Sequence, residues 1–306
     1  MIKLGIYDET SPLEAVILGT AESFGGTPEL SNTNDPKSVE NILNGTFPVE
    51  EDLLVELEAV NQVFLKYGVE VFRPQVIGNY NQIFSRDVGL VIGDQIIVPY
   101  IAHNRREEIR GIQYIIDQCD PNKVLRPNEY ERMEGGDVMP WKGKIFVGYS
   151  EKEDFDEYIT ARTNVAGLEF LEKSFPEWKV YGFELNKSDT DPRENSLHLD
   201  CCFQPIGHDQ AIIYPDGFKH KEDAEFLINM FGQQNVILID KEEMYHMNSN
   251  IFSISPDVIV SEINFTRLNA ELRKRGFTVE EVPYSEAAKR EGLLRCSTLP
   301  LRRRYE

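Results

Sequence analysis

Six residues with chemically capable side chains stand at comparable places along this chain. They are Asp87 in "SRDVGL", Glu134 in "MEGGDVM", His198 and Asp200 in "LHLDCC", Asn250 in "NSNIF" and Cys296 in "RCSTLP". A cysteine becomes a nucleophile when its thiolate is favoured by a neighbouring positive charge. A histidine moves protons between attacking and leaving groups near neutral pH. Glu134 set against His198 would keep the imidazole oriented and protonated. Asp87 and Asp200 oppose a thiolate, so they make sense only if the substrate itself brings positive charge. A planar guanidinium does so, and two carboxylates can hold its fork of N–H donors from opposite sides. The set is coherent for attack by Cys296 on a guanidino carbon.

These residues must be brought together by the elements around them. Each precedes or opens a hydrophobic run, a tight turn and a second hydrophobic run: "VGLVIGDQIIVPY", "DVMPWKGKIFVGY", "CCFQPIGHDQAIIYP" and "IFSISPDVIVSE". Gly-Asp, Lys-Gly-Lys, Gly-His-Asp and Ser-Pro-Asp are turn chemistry between strands. Spacings of three and four predict helices over 105–118, 163–174, 221–231 and 265–275. Each leads into a short strand: "NKVLRP", "WKVYGF", "NVILID" and "FTVEEVP". A first unit reads as "LEAVILG", a helix over 48–67, and "VEVFRP". Five ββαβ units cannot each bury a strand face alone. The expected fold is therefore an α/β five-bladed propeller about a pseudo-fivefold axis, forming a single domain over residues 1–306. The β-segment around Cys296–Leu301 would complete the first unit. Period-two geometry would put His198, Asp200 and Cys202 on one strand face. The stretch 21–47, rich in Gly, Ser, Thr, Asn and Pro, is expected to be a long loop or lid.

Bulk properties limit the partners. With 32 Lys and Arg against 52 Asp and Glu the formal charge is −20, opposite to what a nucleic-acid partner requires. Acidity suits a small cationic substrate. No apolar run approaches membrane-spanning length and the N-terminus lacks a signal-peptide pattern, so the expectation is a cytoplasmic protein that engages no membrane. Four cysteines without a CxxC pair do not suggest a disulfide framework or a zinc site. Phosphate-binding glycine spacing is missing too, so no cofactor and no metal are expected. Homo-oligomerisation is left open.

The motifs "RDVGLV", "EGGDVMP", "LHLD" and "RCSTLP", in this order, resemble the guanidino-modifying superfamily of arginine deiminases, dimethylargininases and amidinotransferases. The resemblance implies the β/α-propeller (pentein) fold, Cys296 as nucleophile, His198 for proton transfer, Glu134 as its partner, and Asp87 with Asp200 on the guanidinium. It also implies a covalent amidino-thioether that water or an acceptor amine resolves. "EGGDVMP" and "RCSTLPL" look like arginine deiminases. "SPLEAVILGTAES", the 105–108 region and Asn195 look like amidinotransferases. Arg162 in "ARTN" is a candidate for a substrate carboxylate. N-methylation would remove donors that Asp87 and Asp200 need, so an unsubstituted guanidine is expected. The leading reading is an arginine deiminase-type hydrolase, with amidino transfer as the alternative.

Two other readings compete. His198, Asp200 and a distal His246 have the composition of a two-His-one-carboxylate iron site, but that leaves Cys296 and Glu134 without a role. A non-catalytic binding module on the same fold is the second, since fold alone does not establish chemistry.

Overall fold

Every run–turn–run pattern of the sequence folds as an antiparallel hairpin, and a third strand joins each hairpin in parallel. The structure is a computed structural model that describes residues 1–33 and 35–305. β1 (Leu13–Leu18) and β2 (Glu70–Phe72) share a sheet with the last strand of the chain. The second sheet holds β3 (Leu90–Ile92), β4 (Gln95–Ile97) and β5 (Val124–Leu125). The third holds β6 (Val138–Trp141), β7 (Lys144–Tyr149) and β8 (Lys179–Glu184). The fourth holds β9 (Phe203–Ile206), β10 (Gln210–Ile213) and β11 (Val236–Leu238), and the fifth β12 (Phe252–Ser255), β13 (Val258–Glu262) and β14 (Thr278–Val282). β15 (Thr298–Arg303) returns to pair antiparallel with β1, Leu18 opposite Thr298. The first unit is thus completed from the far end of the chain, as its sequence suggested, with the strand beginning two residues later than expected.

Turn chemistry fixes the hairpins. Between β6 and β7, Lys142 and Gly143 both take positive φ, 48° and 77°, which suits the strand twist of a two-residue turn. Strands β3, β6 and β9 are buried along their whole length, while β2, β8 and β14 carry exposed positions. In each of the second to fifth sheets the first strand is more buried than the third. Phe64, Phe146, Phe203 and Phe252 are fully buried, each contributing about 1.5–3 kcal/mol through burial.

The helices α1 (Pro36–Leu43), α2 (Glu50–Lys66), α3 (Gln113–Ile116), α4 (Lys152–Glu157), α5 (Val165–Ser174), α6 (Lys221–Phe231), α7 (Lys241–Tyr245), α8 (Thr266–Lys274) and α9 (Ser285–Ala288) occupy the connections. Three expectations need correction. The helix expected over 105–118 is a 3-10 stretch from His103 to Ile112 followed by the short α3. Its tighter winding stacks residues three apart, which brings Arg105 onto Glu108 at 2.9 Å. Leu199–Cys201 is a 3-10 turn, not a strand, so alternation does not apply to His198, Asp200 and Cys202. The 21–47 segment, in which Asn34 lies outside the described residues, is not all loop: Asp35 caps α1 by accepting from the Ser38 amide, with Pro36 at the first position. That cap–proline pair is a helix start legible in the sequence.

Candidate active site

Cys296 sits in the turn that leads into β15, and the fold holds it from two sides. The Asn250 side chain accepts from the Cys296 amide at 3.1 Å and donates to its Sγ at 3.1 Å. Asn250 stands just before β12, as Asp87 stands before β3 and Glu134 before β6, so the repeated unit delivers each to one place. The Cys296 thiol lies 3.6 Å from Asp200 Oδ2. Burial, then the carboxylates of Asp200 and Asp87, push the thiol well above its ordinary range. That environment favours the neutral thiol over the thiolate.

Arg295, the residue before Cys296, is fully buried. It bridges Asp200 Oδ2 at 2.9 Å and Glu9 Oε1 at 3.1 Å, and donates to the carbonyls of Gly136 and Val138. The other oxygen of Asp200, Oδ1, is buried and has no hydrogen-bond partner among the described residues. A fully buried carboxylate with one oxygen tied and the other open is an acceptor prepared for a donor that the chain does not supply.

His198 faces Glu134, Nε2 to Oε2 at 3.0 Å, and Asp87, Nδ1 to Oδ1 at 3.9 Å. Burial alone would lower the imidazole, but Asp87, Asp137 and Glu134 together outweigh it and hold it up to about 9. Glu134 is also fully buried, and burial works to raise it. Arg162, Arg105 and His198 more than reverse this and keep it well below the usual carboxylate range. Gly135 and Gly136 make the approach possible. A Cβ on Gly135 would stand 2.0 Å from the Arg86 carbonyl oxygen, and one on Gly136 would stand 2.5 Å from His198 Nδ1. The "EGGD" motif is therefore a close approach of backbone to histidine.

Asp87 does not pair with its neighbour Arg86, whose guanidinium donates to the Arg295 carbonyl and to Thr298 Oγ1. Its partner is Arg105, at 2.9 Å, and the same Nη1 reaches Glu134 at 3.2 Å. Arg105 and Glu108 were not among the residues expected at the site. Only their motif region gave a signal, because a 3-10 stretch hides the inward face from a 3.6 period. Arg162, buried, lies 3.4 Å from Glu134. Asn195 is not among the residues lining the cavity. It accepts from the Ser188 amide and donates to Glu291 at 2.6 Å.

A cavity of about 470 Å³ opens above Cys296, lined among others by Phe24, Asp87, Arg105, Arg162, His198 and Glu291. Asp35, Ser38 and Phe47 of the 21–47 segment also line it, so this segment shares the cavity with Cys296. His246 lines a different cavity with Lys37 and Tyr245, and the iron set of His198, Asp200 and His246 is not assembled. Donor atoms of Asp87, Glu134 and His198 do lie within 4.8 Å of one another. Arg105 already supplies a cation to both carboxylates there. Cys201 and Cys202 are buried with their thiols pushed up by burial, as expected of packing residues.

Comparison with known proteins gives this geometry its kin. A Bacillus subtilis (strain 168) protein, YkgA, is 27% identical over 277 residues, 86% of this chain and 87% of its own. An arginine deiminase from Latilactobacillus sakei is 26% identical over 73% of this chain and 62% of its own length. Among solved structures, the N-terminal domain of ArgZ, an arginine dihydrolase from cyanobacteria, matches 94% of this chain and 97% of that chain, with a TM-score of 0.77 and 18% identity. The inosamine-phosphate amidinotransferase StrB1 from Streptomyces griseus matches 99% and 97%, with a TM-score of 0.77 and 17% identity. At those identities the solved structures speak for the fold alone, a mixed α/β fold to which five three-stranded sheets correspond. The model of the eukaryotic N,N dimethylarginine dimethylhydrolase family matches residues 47–303, most of the chain, and the chain belongs to that family, within the superfamily of guanidino-group hydrolases and amidinotransferases.

Proposed function

We propose that this chain is a cysteine-dependent hydrolase of an unsubstituted guanidine, L-arginine being converted to citrulline and ammonia on a single-domain five-bladed propeller. The observation that carries the reading is Asp200. One oxygen is fixed by Arg295 beside the Cys296 thiol, and the other is buried without a partner among the described residues. A guanidinium N–H completes it. Arrival of that cation lets the thiol ionise, and the thiolate adds to the guanidino carbon. The C–N bond breaks as His198, protonated at neutral pH, gives its proton to the departing ammonia. Water then attacks the amidino-thioether, His198 takes up a proton, and the C–S bond breaks to free the ureido product. Glu134 keeps the imidazole oriented throughout. Asp87, already bonded to the guanidinium of Arg105, would hold the substrate guanidinium from its other side. Arg105 and Arg162 would face a substrate carboxylate.

The matched family is named for a dimethylated arginine. Two methyl groups on one nitrogen remove two of the five N–H donors of the guanidinium, so holding it from both sides loses charged hydrogen bonds at about 1.5–3 kcal/mol each, which favours the unmethylated substrate. Amidino transfer to an acceptor amine is the alternative, favoured by the likeness to StrB1 over nearly all of both chains. The test is incubation with L-arginine, with and without glycine, followed by product analysis and intact mass. Citrulline and ammonia without acceptor, lost at least about 10⁴-fold in Cys296→Ala, support the hydrolase. Ornithine formed only with an acceptor supports transfer.

A further inference from the structure

Glu134 and His198 each stand just before a short 3-10 turn, Gly135–Asp137 and Leu199–Cys201, and neither side chain caps the turn it precedes. Both are therefore free to meet each other, Nε2 to Oε2 at 3.0 Å. The amides that open the two turns need other acceptors. Gly136 donates to Asp87 Oδ1 at 3.2 Å, and Leu199 donates to Asp137 Oδ1 at 3.0 Å. Asp137 Oδ2 in turn accepts from Thr163 Oγ1 at 2.6 Å, and Thr163 Oγ1 accepts from the Glu134 amide at 3.2 Å. An unbroken line of hydrogen bonds thus runs from the residue after His198, through Asp137 and Thr163, to the main chain of Glu134. Asp137, Thr163 and Leu199 are all buried. The Ser150 amide, just past β7, anchors the Thr163 carbonyl at 2.9 Å. Gly148 in β7 leaves room for this brace: a Cβ there would stand 2.6 Å from Asp137 Oδ1 and 3.0 Å from Leu199 Cβ.

We infer that Asp137 and Thr163 are positioning residues that lock the two turns together and so hold the His198 imidazole against Glu134. Neither is among the residues lining the cavity, so both act through His198 and Glu134 and not on a substrate. The inference rests on the proton-transfer role given to His198 above. A fully satisfied buried network is rigid, and a displacement of about 1 Å in a catalytic group can cost about 100-fold in rate. Charge acts alongside geometry here. The carboxylates of Asp87, Asp137 and Glu134 act on the imidazole, Arg105 and Arg162 act on Glu134, and Lys187 acts with His198 on the buried Asp137 carboxyl. Thr163 carries no charge, so its hydroxyl tests the geometry with every one of these charges left in place.

The test reads L-arginine turnover and the His198 imidazole, both in the full chain. Thr163→Val keeps the outline of the side chain and removes the hydroxyl. It should lower kcat about 10-fold with KM changed by less than about threefold. Thr163→Ser restores the hydroxyl and should return kcat to within about threefold of the wild type. Asp137→Ala should lower kcat about 100-fold, and Thr163→Val decides the matter where that variant does not fold. In a His198→Ala background Thr163→Val should cost less than about twofold further, because a positioning residue acts through the residue it positions. An equal loss in both backgrounds marks a general structural role and overturns the inference. The second readout needs no substrate. The His198 Nε2 proton, bonded to Glu134, should give a low-field proton–nitrogen NMR signal at neutral pH that shifts or broadens in Thr163→Val and returns in Thr163→Ser. A signal unmoved in Thr163→Val overturns the inference whether or not arginine is turned over. A signal that moves in a chain that turns over no guanidine supports the brace while the guanidino reading fails.

Discussion

Two polar clusters, here called the walls of the cavity although Glu134 and Asp200 stand behind its lining residues, are built on opposite principles. On one, Asp87, Glu134, His198, Arg105 and Arg162 bond to one another, and each carboxylate meets at least one cation. On the other, Asp200 Oδ1 and Glu291 Oε2 are buried oxygens with no partner among the described residues. A saturated network is rigid and sets protonation states; an unsaturated one holds binding capacity that only a ligand can satisfy. On the function proposed above, the first wall prepares the proton carrier and the second meets the substrate.

Removing the anchor of the open wall should have the largest effect. Arg295→Met leaves Glu9 and Asp200 as buried charges without their cation, and urea unfolding should show a loss of about 3–5 kcal/mol. A variant as stable as the wild type would break the comparison, because the open wall would need no support. The saturated wall makes a pH prediction. His198 is raised from 6.5 to about 9, so its contribution to stability is fully present below pH 6.5 and is lost as pH rises through 9. The amount is on the order of 3 kcal/mol. Urea unfolding at pH 6 and pH 9.5 should show this slope, and His198→Gln should remove it. The buried cysteines also titrate at high pH but are common to both proteins, so the difference between them isolates His198. The smallest expected effect falls between the walls. Asn250→Ala removes one donor from the Cys296 sulfur and should lower kcat about tenfold, with little change in KM.

Much of this was legible in the sequence, though not for uniform reasons. Four repeats of run, turn, run, helix and strand located every hairpin, because turn residues and apolar runs are local signals. Asp87, Glu134, His198, Asp200 and Cys296 do meet around one cavity or directly behind it. The strand argument for His198 and Asp200 was nonetheless mistaken, since a 3-10 turn carries Leu199–Cys201. Arg105 was hidden by its 3-10 stretch, and Arg295 by its charge, which is rare in a fully buried residue. Asn195 was assigned to the substrate, yet it holds Glu291. Spacing in sequence cannot distinguish a residue that touches the cavity from one standing behind it. Glu291 gave no signal at all, because its burial beside Asn195 is set by the fold and not by its sequence neighbours.

The pairing of β15 with β1 has a temporal consequence. Cys296 follows all of the second to fifth sheets in chain order, and its strand must find a partner laid down some 280 residues earlier. During synthesis Asp87, His198 and Asp200 are made first, and Cys296 follows them. A nascent chain can therefore assemble the second to fifth sheets before Cys296 is in place. Docking of β15 on β1 then sets Cys296 beside Asp200.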